Sequence, residues 1–196
     1  MRRISPLGDR IGQPGQVLGL AERAFLGHIV LRGHGADAAF VAAVQSALGV
    51  APPLRPNTLA STPAGAADAV TVIWMAPDEW HVQTPPEQRD GKMVRLRTAL
   101  AGQFAAVTDI SDGLTVVVLD APFAADLLSR GCPLDLHPAV FPVGACAQSV
   151  FGKTGVLMVR ESAERFAIFV RRSFAGYLYQ ALQHAAALAA PPARGR

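Results

Sequence analysis

The sequence predicts an α+β fold in which antiparallel sheets carry helices on one side. Hydrophobic periodicity gives the element order β-α-β-β-α-β-β-α-β-β-β-α, which does not repeat as βαβ crossovers and therefore favours antiparallel pairing. At 196 residues the chain is long enough to bury an apolar interior without disulfides or metal. We therefore expect a core built from two interleaved halves.

In the first half, apolar runs predict strands at 24–32, 69–75 and 80–83. Helical spacing of apolar residues predicts helices at 37–48 and 87–100, the first ending at Gly49. The stretch 51–65 is rich in Pro, Asn, Ser and Thr, which are typical of a loop because proline removes a backbone donor and the others favour turns.

The second half is predicted to be mostly strands, at 107–110, 114–119, 147–151, 156–160 and 166–170, with a turn at 111–113. A short helix is expected from Pro122, with Gly131 as its left-handed cap, followed by a proline-rich loop at 132–144. Ser173 is expected to cap a final helix. Its predicted apolar stripe consists of Phe174, Tyr177, Leu178, Ala181, Leu182 and Ala185.

We divide the chain into an N-terminal extension (1–23), one domain of two interleaved halves (24–190) and a disordered tail (191–196). The basic N-terminus is not followed by the apolar segment of a signal peptide, and no apolar run approaches the roughly 18 residues of a membrane helix. The sequence therefore predicts a cytoplasmic protein with no membrane partner. In a reducing compartment Cys132 and Cys146 are not expected to form a disulfide.

The fractions of hydrophobic and charged residues indicate which kinds of partner the chain could bind. Hydrophobic residues make up 51% of the chain and charged residues 17%, a balance that suits a protein with apolar surface hidden against a partner. An alanine-rich composition explains the same numbers equally well. The net charge of +3 is spread out, and only Arg171 and Arg172 are adjacent within the body of the chain. Nucleic-acid binding is not expected, because it requires clustered cations.

Two glycine motifs resemble nucleotide-binding loops without completing them. The GHGADA segment at 33–38 joins a predicted strand to a predicted helix, but no acidic residue follows about 20 residues later to hold a ribose. Gly152-Lys153-Thr154 lacks the glycine five positions earlier that a P-loop requires, and a strand is predicted after it. We interpret the first as a glycine turn and the second as a hairpin turn.

Three groups of residues could carry chemistry. Cys132, His137 and Cys146 are potential zinc ligands, but a structural site requires four and no fourth lies nearby, so we predict no metal site. The carboxylates of Asp109 and Asp112 flank Ser111, a pattern that turns use without any substrate. The Asp78-Glu79-Trp80 segment is interpreted in the same way, as a capped turn with a packed tryptophan. No catalytic or cofactor-binding residue is therefore predicted.

Five segments carry a resemblance to a known family: MAPDEW at 75–80, DISDG at 109–113, GCPLDLHP at 131–138, FPVGACAQ at 141–148 and FVRRSFAGYL at 169–178. In this order they resemble the gamma-subunit family of heterotetrameric sarcosine oxidases, from about Ile29 to Leu182. The family is similar in fold to the folate-binding aminomethyltransferase of glycine cleavage. The resemblance therefore implies an α+β fold with a ferredoxin-like part.

The resemblance also implies partners. These would be alpha, beta and delta subunits that carry FAD, FMN, NAD, tetrahydrofolate and zinc and oxidise sarcosine to glycine with release of peroxide. The gamma chain itself would hold no cofactor. The aminomethyltransferase relatives have functional aspartates after a strand-turn glycine, whereas this chain has GVLMV at 155–159. Aminomethyl transfer by this chain alone is therefore not expected.

Two hypotheses remain open at this stage. In the first, the chain is a non-catalytic subunit, and Trp80, Arg172, Phe174 and Tyr177 are candidate interface anchors because Trp, Tyr and Arg are enriched at binding hot spots. In the second, the chain is a stand-alone folate-binding enzyme or one-carbon regulator. Its pocket would use Asp109 or Asp112 for the pterin and Arg171 for the glutamate tail.

Overall fold

The computed structural model describes residues 4–8, 11, 19–63, 65–66 and 68–189. The chain divides into two compact units that alternate along the sequence. Unit 1 comprises Met1–Ala24, Thr115–Gly144 and Gln148–Arg196, and unit 2 comprises Phe25–Leu114 and Ala145–Ala147. The predicted tail at 191–196 lies outside the described residues.

Within the described residues, the strands are β1 (Gly19–Arg23), β2 (Gly27–Arg32), β3 (Leu59–Ser61), β4 (Thr71–Ala76), β5 (Glu79–Thr84), β6 (Ala106–Asp109), β7 (Leu114–Asp120), β8 (Cys146–Phe151), β9 (Thr154–Arg160) and β10 (Arg165–Arg171). The α-helices are α1 (Ala38–Leu48), α2 (Arg89–Ala99), α3 (Ala124–Ser129) and α4 (Ala175–Ala189). Short 3-10 turns span Pro86–Gln88, Ser111–Gly113 and Arg172–Phe174. The predicted α+β class is confirmed.

Unit 2 contains a five-stranded sheet of order β3-β4-β5-β2-β6. Neighbouring strands pair antiparallel, with Leu31 opposite both Trp80 and Val107. Without the short edge strand β3, the order β2-α1-β4-β5-α2-β6 is the ferredoxin-like β-α-β-β-α-β pattern. Both helices pack on one face of this sheet, because α1, α2 and alternate strand residues share a single core. That core includes Ile29, Leu31, Phe40, Val44, Val72, Trp80, Val82 and Leu96.

Local sequence explains the bounds of α1. The carboxylate of Asp37 accepts a hydrogen bond from the N–H of Ala39 at 2.8 Å and so caps the first turn. At the other end Gly49 adopts a left-handed conformation with φ of 77°, and its N–H donates to the carbonyl of Gln45. Glycine is favoured there because it has no Cβ penalty at positive φ. The predicted helix at 37–48 is therefore confirmed.

The second sheet has the order β1-β7-β10-β9-β8 and is built mainly from unit 1. β1 pairs antiparallel with β7, and β9 with β10. Helix α4 contacts α3 and β10 and buries Leu178 and Leu182 completely. Phe174 and Tyr177, predicted in the same apolar stripe, instead remain partly exposed.

Several predicted bounds are wrong. The predicted strand at 24–32 is interrupted near Phe25, where φ is 65°, and a separate strand β1 lies within the range assigned to an extension. Strand β3 lies within the predicted loop at 51–65. Gly131 does not adopt a left-handed conformation. It is small because a Cβ there would approach the ring of Phe151 at 2.9 Å.

Helix starts also differ from prediction by about two residues. A 3-10 turn at Pro86–Gln88 precedes α2, and Ser173 lies inside the 3-10 turn that precedes α4 and is not its cap. The first residues of a helix lack intrahelical acceptors, so such turns commonly tighten them. In the part of the chain that the structure describes, no helix is both long and apolar enough to span a membrane.

Candidate functional site

Trp80 is not available as an interface anchor, which corrects the sequence prediction. Its side chain is completely buried, and its Nε1–H donates to the carbonyl of Pro53 at 2.7 Å. The ring packs against Phe40 with centroids 5.4 Å apart. Alternation along β5 directs Trp80 and Val82 toward the helices, so the tryptophan belongs to the core of unit 2.

The other three predicted anchors lie together in unit 1, and we call Arg172, Phe174 and Tyr177 the aromatic turn. Phe174 and Tyr177 are 43% and 36% exposed and lie three residues apart, across the start of α4, a spacing that places residues on one side of a helix. The guanidinium of Arg172 donates through Nη2 to the carbonyl of Ile4 at 2.7 Å. Their role at an interface stays a prediction.

Tyr177 also fixes the turn between β8 and β9. Its hydroxyl accepts a hydrogen bond from the backbone N–H of Lys153 at 2.9 Å. Gly152 has φ of 57°, and a Cβ there would overlap the Tyr177 hydroxyl. The predicted hairpin turn at Gly152-Lys153-Thr154 is therefore confirmed, and its glycine makes room for a tyrosine.

The glycine loop before α1 is likewise explained by packing. A Cβ at Gly33 would overlap the ring of Phe40, and a Cβ at Gly35 would approach Trp80 at 3.1 Å. The N-terminus of α1, which holds the phosphate in dinucleotide-binding folds, is here capped by the carboxylate of Asp37. The loop is thus a glycine turn, as predicted.

Two histidines that the sequence analysis did not single out form a buried pair in unit 2. Nδ1 of His28 lies 3.0 Å from Nε2 of His81, and both side chains are at most 3% exposed. Burial lowers the pKa of His28 to about 4, against the opposing charge of Asp109, and lowers the pKa of His81 to about 3, with a further contribution from His28. Both rings are therefore neutral near pH 7, and one donates a hydrogen bond to the other.

Asp109 supports the end of β6. Its Oδ1 accepts from the N–H of Ser111 at 2.9 Å and from the Ser111 hydroxyl at 2.5 Å, while Arg89 lies 3.4 Å from its other oxygen. Burial alone would raise the pKa of Asp109, but these hydrogen bonds and the charge of Arg89 lower it below its usual value. The Ser111 hydroxyl in turn accepts from the N–H of His28 at 2.9 Å. This is the turn role predicted for these residues.

The residues named for folate do not form a set within one unit. Asp109 and Asp112 belong to unit 2, whereas Arg171 belongs to unit 1. Asp109 is already engaged by Ser111 and Arg89. The pairing of Asp109 or Asp112 with Arg171 is therefore not found within either unit.

The three potential zinc ligands each have local hydrogen-bond partners. The Cys132 sulfur lies 3.5 Å from the Ser149 hydroxyl, and the Cys146 thiol donates to the carbonyl of Thr58 at 3.4 Å. Nδ1 of His137 accepts from a backbone N–H two residues along the chain. Burial raises the pKa of Cys146 to about 11, so this thiol is not ionised near pH 7. Within the described ranges, no group of three or more His, Cys, Asp or Glu residues could hold a metal ion.

Unit 2 also contains a cleft of about 770 Å³ that sequence reasoning missed. We call it the Phe104 cleft. It lies where the loop after β2, the turn after β4 and the loop before β6 meet, and its lining includes Arg32, Asp37, Phe40, Asp78, Gln103 and Phe104. The sequence signal was a single aromatic residue in the alanine- and glycine-containing segment AGQFAA at 101–106, which gives no indication of the other two segments.

Comparison with known proteins identifies relatives. A family model described as sarcosine oxidase, gamma subunit family, matches residues 32–188. Sarcosine oxidase subunit gamma of Arthrobacter sp is 32% identical over 133 residues, and that of Corynebacterium sp. (strain P-1) is 30% identical over 155 residues. These matches cover 68% and 79% of this chain, and 63% and 73% of the relatives' own lengths.

Solved structures agree with this assignment. A chain of the heterotetrameric sarcosine oxidase from Corynebacterium sp. U-96, in complex with pyrrole 2-carboxylate, matches with a TM-score of 0.84 and 27% identity over 95% of both chains. Aminomethyltransferase T of the glycine cleavage system from Bartonella henselae shares the fold, with a TM-score of 0.63 and 16% identity over 83% of this chain and 44% of that one. The chain therefore belongs to the sarcosine oxidase gamma subunit family.

Proposed function

We propose that this chain is a non-catalytic accessory subunit of a heterotetrameric sarcosine oxidase. The observation that carries the proposal is the match along 95% of both chains to a component of such an oxidase. The match of the gamma-subunit family model to residues 32–188 supports the same role. The complex would demethylate sarcosine oxidatively to glycine, with formation of peroxide and transfer of the one-carbon unit to tetrahydrofolate.

The partners in this proposal are alpha, beta and delta subunits in the cytoplasm. FAD, FMN, NAD, tetrahydrofolate and zinc would be bound by those subunits, and this chain would contribute apolar and aromatic surface to the assembly. The proposal assigns no cofactor to this chain.

The aromatic turn is the surface of unit 1 that we assign to the interface. Phe174 and Tyr177 expose aromatic area next to the cation of Arg172, and these residue types dominate binding hot spots. The backbone beneath them is fixed by the Tyr177–Lys153 hydrogen bond, so little conformational freedom would be lost on binding.

Co-expression of the tagged chain with its genomic neighbours tests the proposal. Size exclusion, flavin absorbance and a sarcosine-dependent peroxide assay on the tagged fraction should show a yellow, active complex. Phe174→Ser should weaken co-purification, whereas Leu188→Ser, which removes another exposed apolar side chain of α4, should not. A colourless monomer in the presence of the expressed large chains would contradict the accessory role. If the two variants co-purify equally well, only the assignment of the aromatic turn to the interface is contradicted.

The alternative of a stand-alone folate-binding, aminomethyltransferase-like enzyme or one-carbon regulator has less support. The likeness to aminomethyltransferase T, at 16% identity, concerns the fold alone. Titration of the isolated chain with tetrahydrofolate tests this alternative, and saturable binding would be required to revive it.

A further inference from the structure

We infer that the Phe104 cleft of unit 2 is a docking site for an arginine-bearing segment of another subunit of the complex. The inference rests on the proposed function and adds a second surface, with the chemistry of its occupant. Three independent features of the cleft converge on a guanidinium group: an exposed aromatic ring, a shielded acceptor and an acidic rim.

Phe104 is fully exposed to solvent and lines the cleft, so the whole ring is available to a partner. The backbone conformation around Phe104 is fixed by local hydrogen bonds. The N–H of Gln103 donates to the carbonyl of Leu100 at 3.0 Å, the N–H of Ala105 donates to the carbonyl of Gln103 at 2.9 Å, and Gly102 adopts φ of 81°. The ring is therefore presented by a hydrogen-bonded turn.

Gln103 provides the second feature. Its Oε1 is shielded from solvent, and within the described part of the chain no hydrogen-bond donor reaches it. A shielded carbonyl oxygen without a donor is unfavourable, because its lost hydration is not replaced. Gln103 lines the cleft, so a donor delivered there is placed to relieve this cost.

The rim of the cleft is acidic, although the chain as a whole carries a net charge of +3. Asp37 and Asp78 line it, and Arg32 contacts Asp78 at 3.4 Å and Glu79 at 3.2 Å. Among the residues that line the cleft, the two carboxylates of Asp37 and Asp78 against the one guanidinium of Arg32 leave a net of one negative charge. Charge complementarity therefore favours a cationic occupant.

Arginine meets all three requirements at once. Its planar guanidinium stacks on an aromatic face, donates several hydrogen bonds in a fixed geometry and pairs with carboxylates. A lysine ammonium matches the charge but is a poorer stacking partner. The open shape and size of the cleft suit a segment of protein chain that delivers this side chain along with apolar neighbours over Phe104.

The experiment measures the affinity of the purified chain for the remaining subunits of the complex. Phe104→Ser is expected to weaken association about 10- to 30-fold, as loss of an aromatic hot spot does. Val94→Ser is the matched control, since it removes an exposed apolar side chain of α2 in the same unit and should leave the affinity unchanged. Wild-type affinity should also fall as salt is raised, because charge pairing is screened.

Gln103→Met separates docking from a purely structural role. Removing the shielded acceptor should leave the melting temperature of the isolated chain unchanged or higher, yet weaken association, because the acceptor for the incoming donor is lost. If Gln103 had a purely structural role, the substitution would lower both the melting temperature and the affinity. The inference is overturned if the wild-type chain forms the complex and both Phe104→Ser and Gln103→Met bind the other subunits as tightly as wild type does. The accessory function would remain intact in that case.

Two other results are also decisive. If the wild-type chain forms no complex, the accessory function fails and this inference fails with it. If the isolated wild-type chain self-associates and Phe104→Ser abolishes that association, the occupant is a second copy of this chain and not another subunit. Sedimentation velocity of the isolated proteins distinguishes these cases.

Discussion

His28 and His81 lie on neighbouring strands with their ring nitrogens 3.0 Å apart, on the face of the unit 2 sheet opposite the helices. The register explains the contact. His81 is directly opposite Val30, so His28 is its diagonal neighbour on the same face. Each ring is buried, and protonation of either would place a cation beside the other ring without water to solvate it. The pair therefore couples the stability of the fold to pH.

We expect the free energy of unfolding to fall as the pH is lowered through the range from about 6.5 to about 3. The folded-state pKa values of His28 and His81, about 4 and about 3, are below the ordinary value of 6.5, so the unfolded chain binds protons first. The stabilisation is complete above pH 6.5. For His28 alone the loss is on the order of 3 kcal/mol. Urea denaturation at a series of pH values measures it.

A histidine variant provides the control. His81→Gln should be less stable at neutral pH but should show a shallower slope between about pH 6 and 4, by about 1.4 kcal/mol per pH unit for the titration removed. His184→Gln, at an exposed histidine of α4, serves as the matched substitution. Parallel pH profiles for wild type and His81→Gln would contradict the assignment.

Two glycine-to-alanine substitutions should change the free energy of unfolding in opposite directions. Gly33→Ala places a methyl group inside the ring of Phe40 and should destabilise unit 2 by about 2 kcal/mol or more. Gly91→Ala, in an exposed position of α2 with open space around the added Cβ, should stabilise by about 0.5–1 kcal/mol because alanine loses less entropy in a helix. Thermal unfolding of both variants checks the pair. A destabilised Gly91→Ala would show that the α2 surface is not open.

Gly152→Ala should loosen the hairpin between β8 and β9. Positive φ disfavours alanine there, and the methyl group would displace the Tyr177 hydroxyl from the N–H of Lys153. We expect a destabilisation of about 2 kcal/mol and faster amide exchange at Lys153. Gly155→Ala adds a methyl group in open space on β9 and should change the stability by less than about 0.5 kcal/mol. Unchanged exchange in Gly152→Ala would argue against the Tyr177 contact.

The sequence predicted those elements whose ends are determined locally. Helix α1 is bounded by an Asp cap and a left-handed glycine, and the hairpin at Gly152 by a turn motif, so both were found. Strand β1 was missed because its sequence, GLAER, lacks β-branched residues and is a strand only through its pairing with β7. Local propensity does not encode such a partner.

The site residues illustrate the same limit. Trp80 was predicted as an anchor from its residue type, whereas the alternation of β5 directs it into the core. The Phe104 cleft combines three segments that are distant in sequence, and the His28–His81 contact joins positions 53 residues apart. Such sites follow from topology, so they become visible only when the strands are placed.

Arg160 organises the proline-rich loop that follows Cys132. The guanidinium is only 3% exposed and donates to four backbone carbonyls, those of Leu136, Phe141, Ser162 and Ala163, at 2.8 to 3.3 Å. It also lies 5.2 Å from the centroid of the Phe166 ring. Two of the four acceptors belong to the loop at 132–144, which has neither helix nor strand. The Arg160 side chain therefore anchors two points of this loop, in addition to the hydrogen bond from the N–H of Gly144 to the carbonyl of Arg160.

Arg160→Met should release this loop. The substitution leaves the carbonyls of Leu136 and Phe141 without their donor in a buried site, so we expect a loss of about 3 kcal/mol in the free energy of unfolding. Limited proteolysis under native conditions should cut first within 132–144. Arg165→Met, which removes an exposed arginine paired with Asp120, serves as the control and should change the stability by less than about 1 kcal/mol. If the loop is as resistant to proteolysis in Arg160→Met as in the control, the packing of Phe141 and Leu136 holds it without the guanidinium.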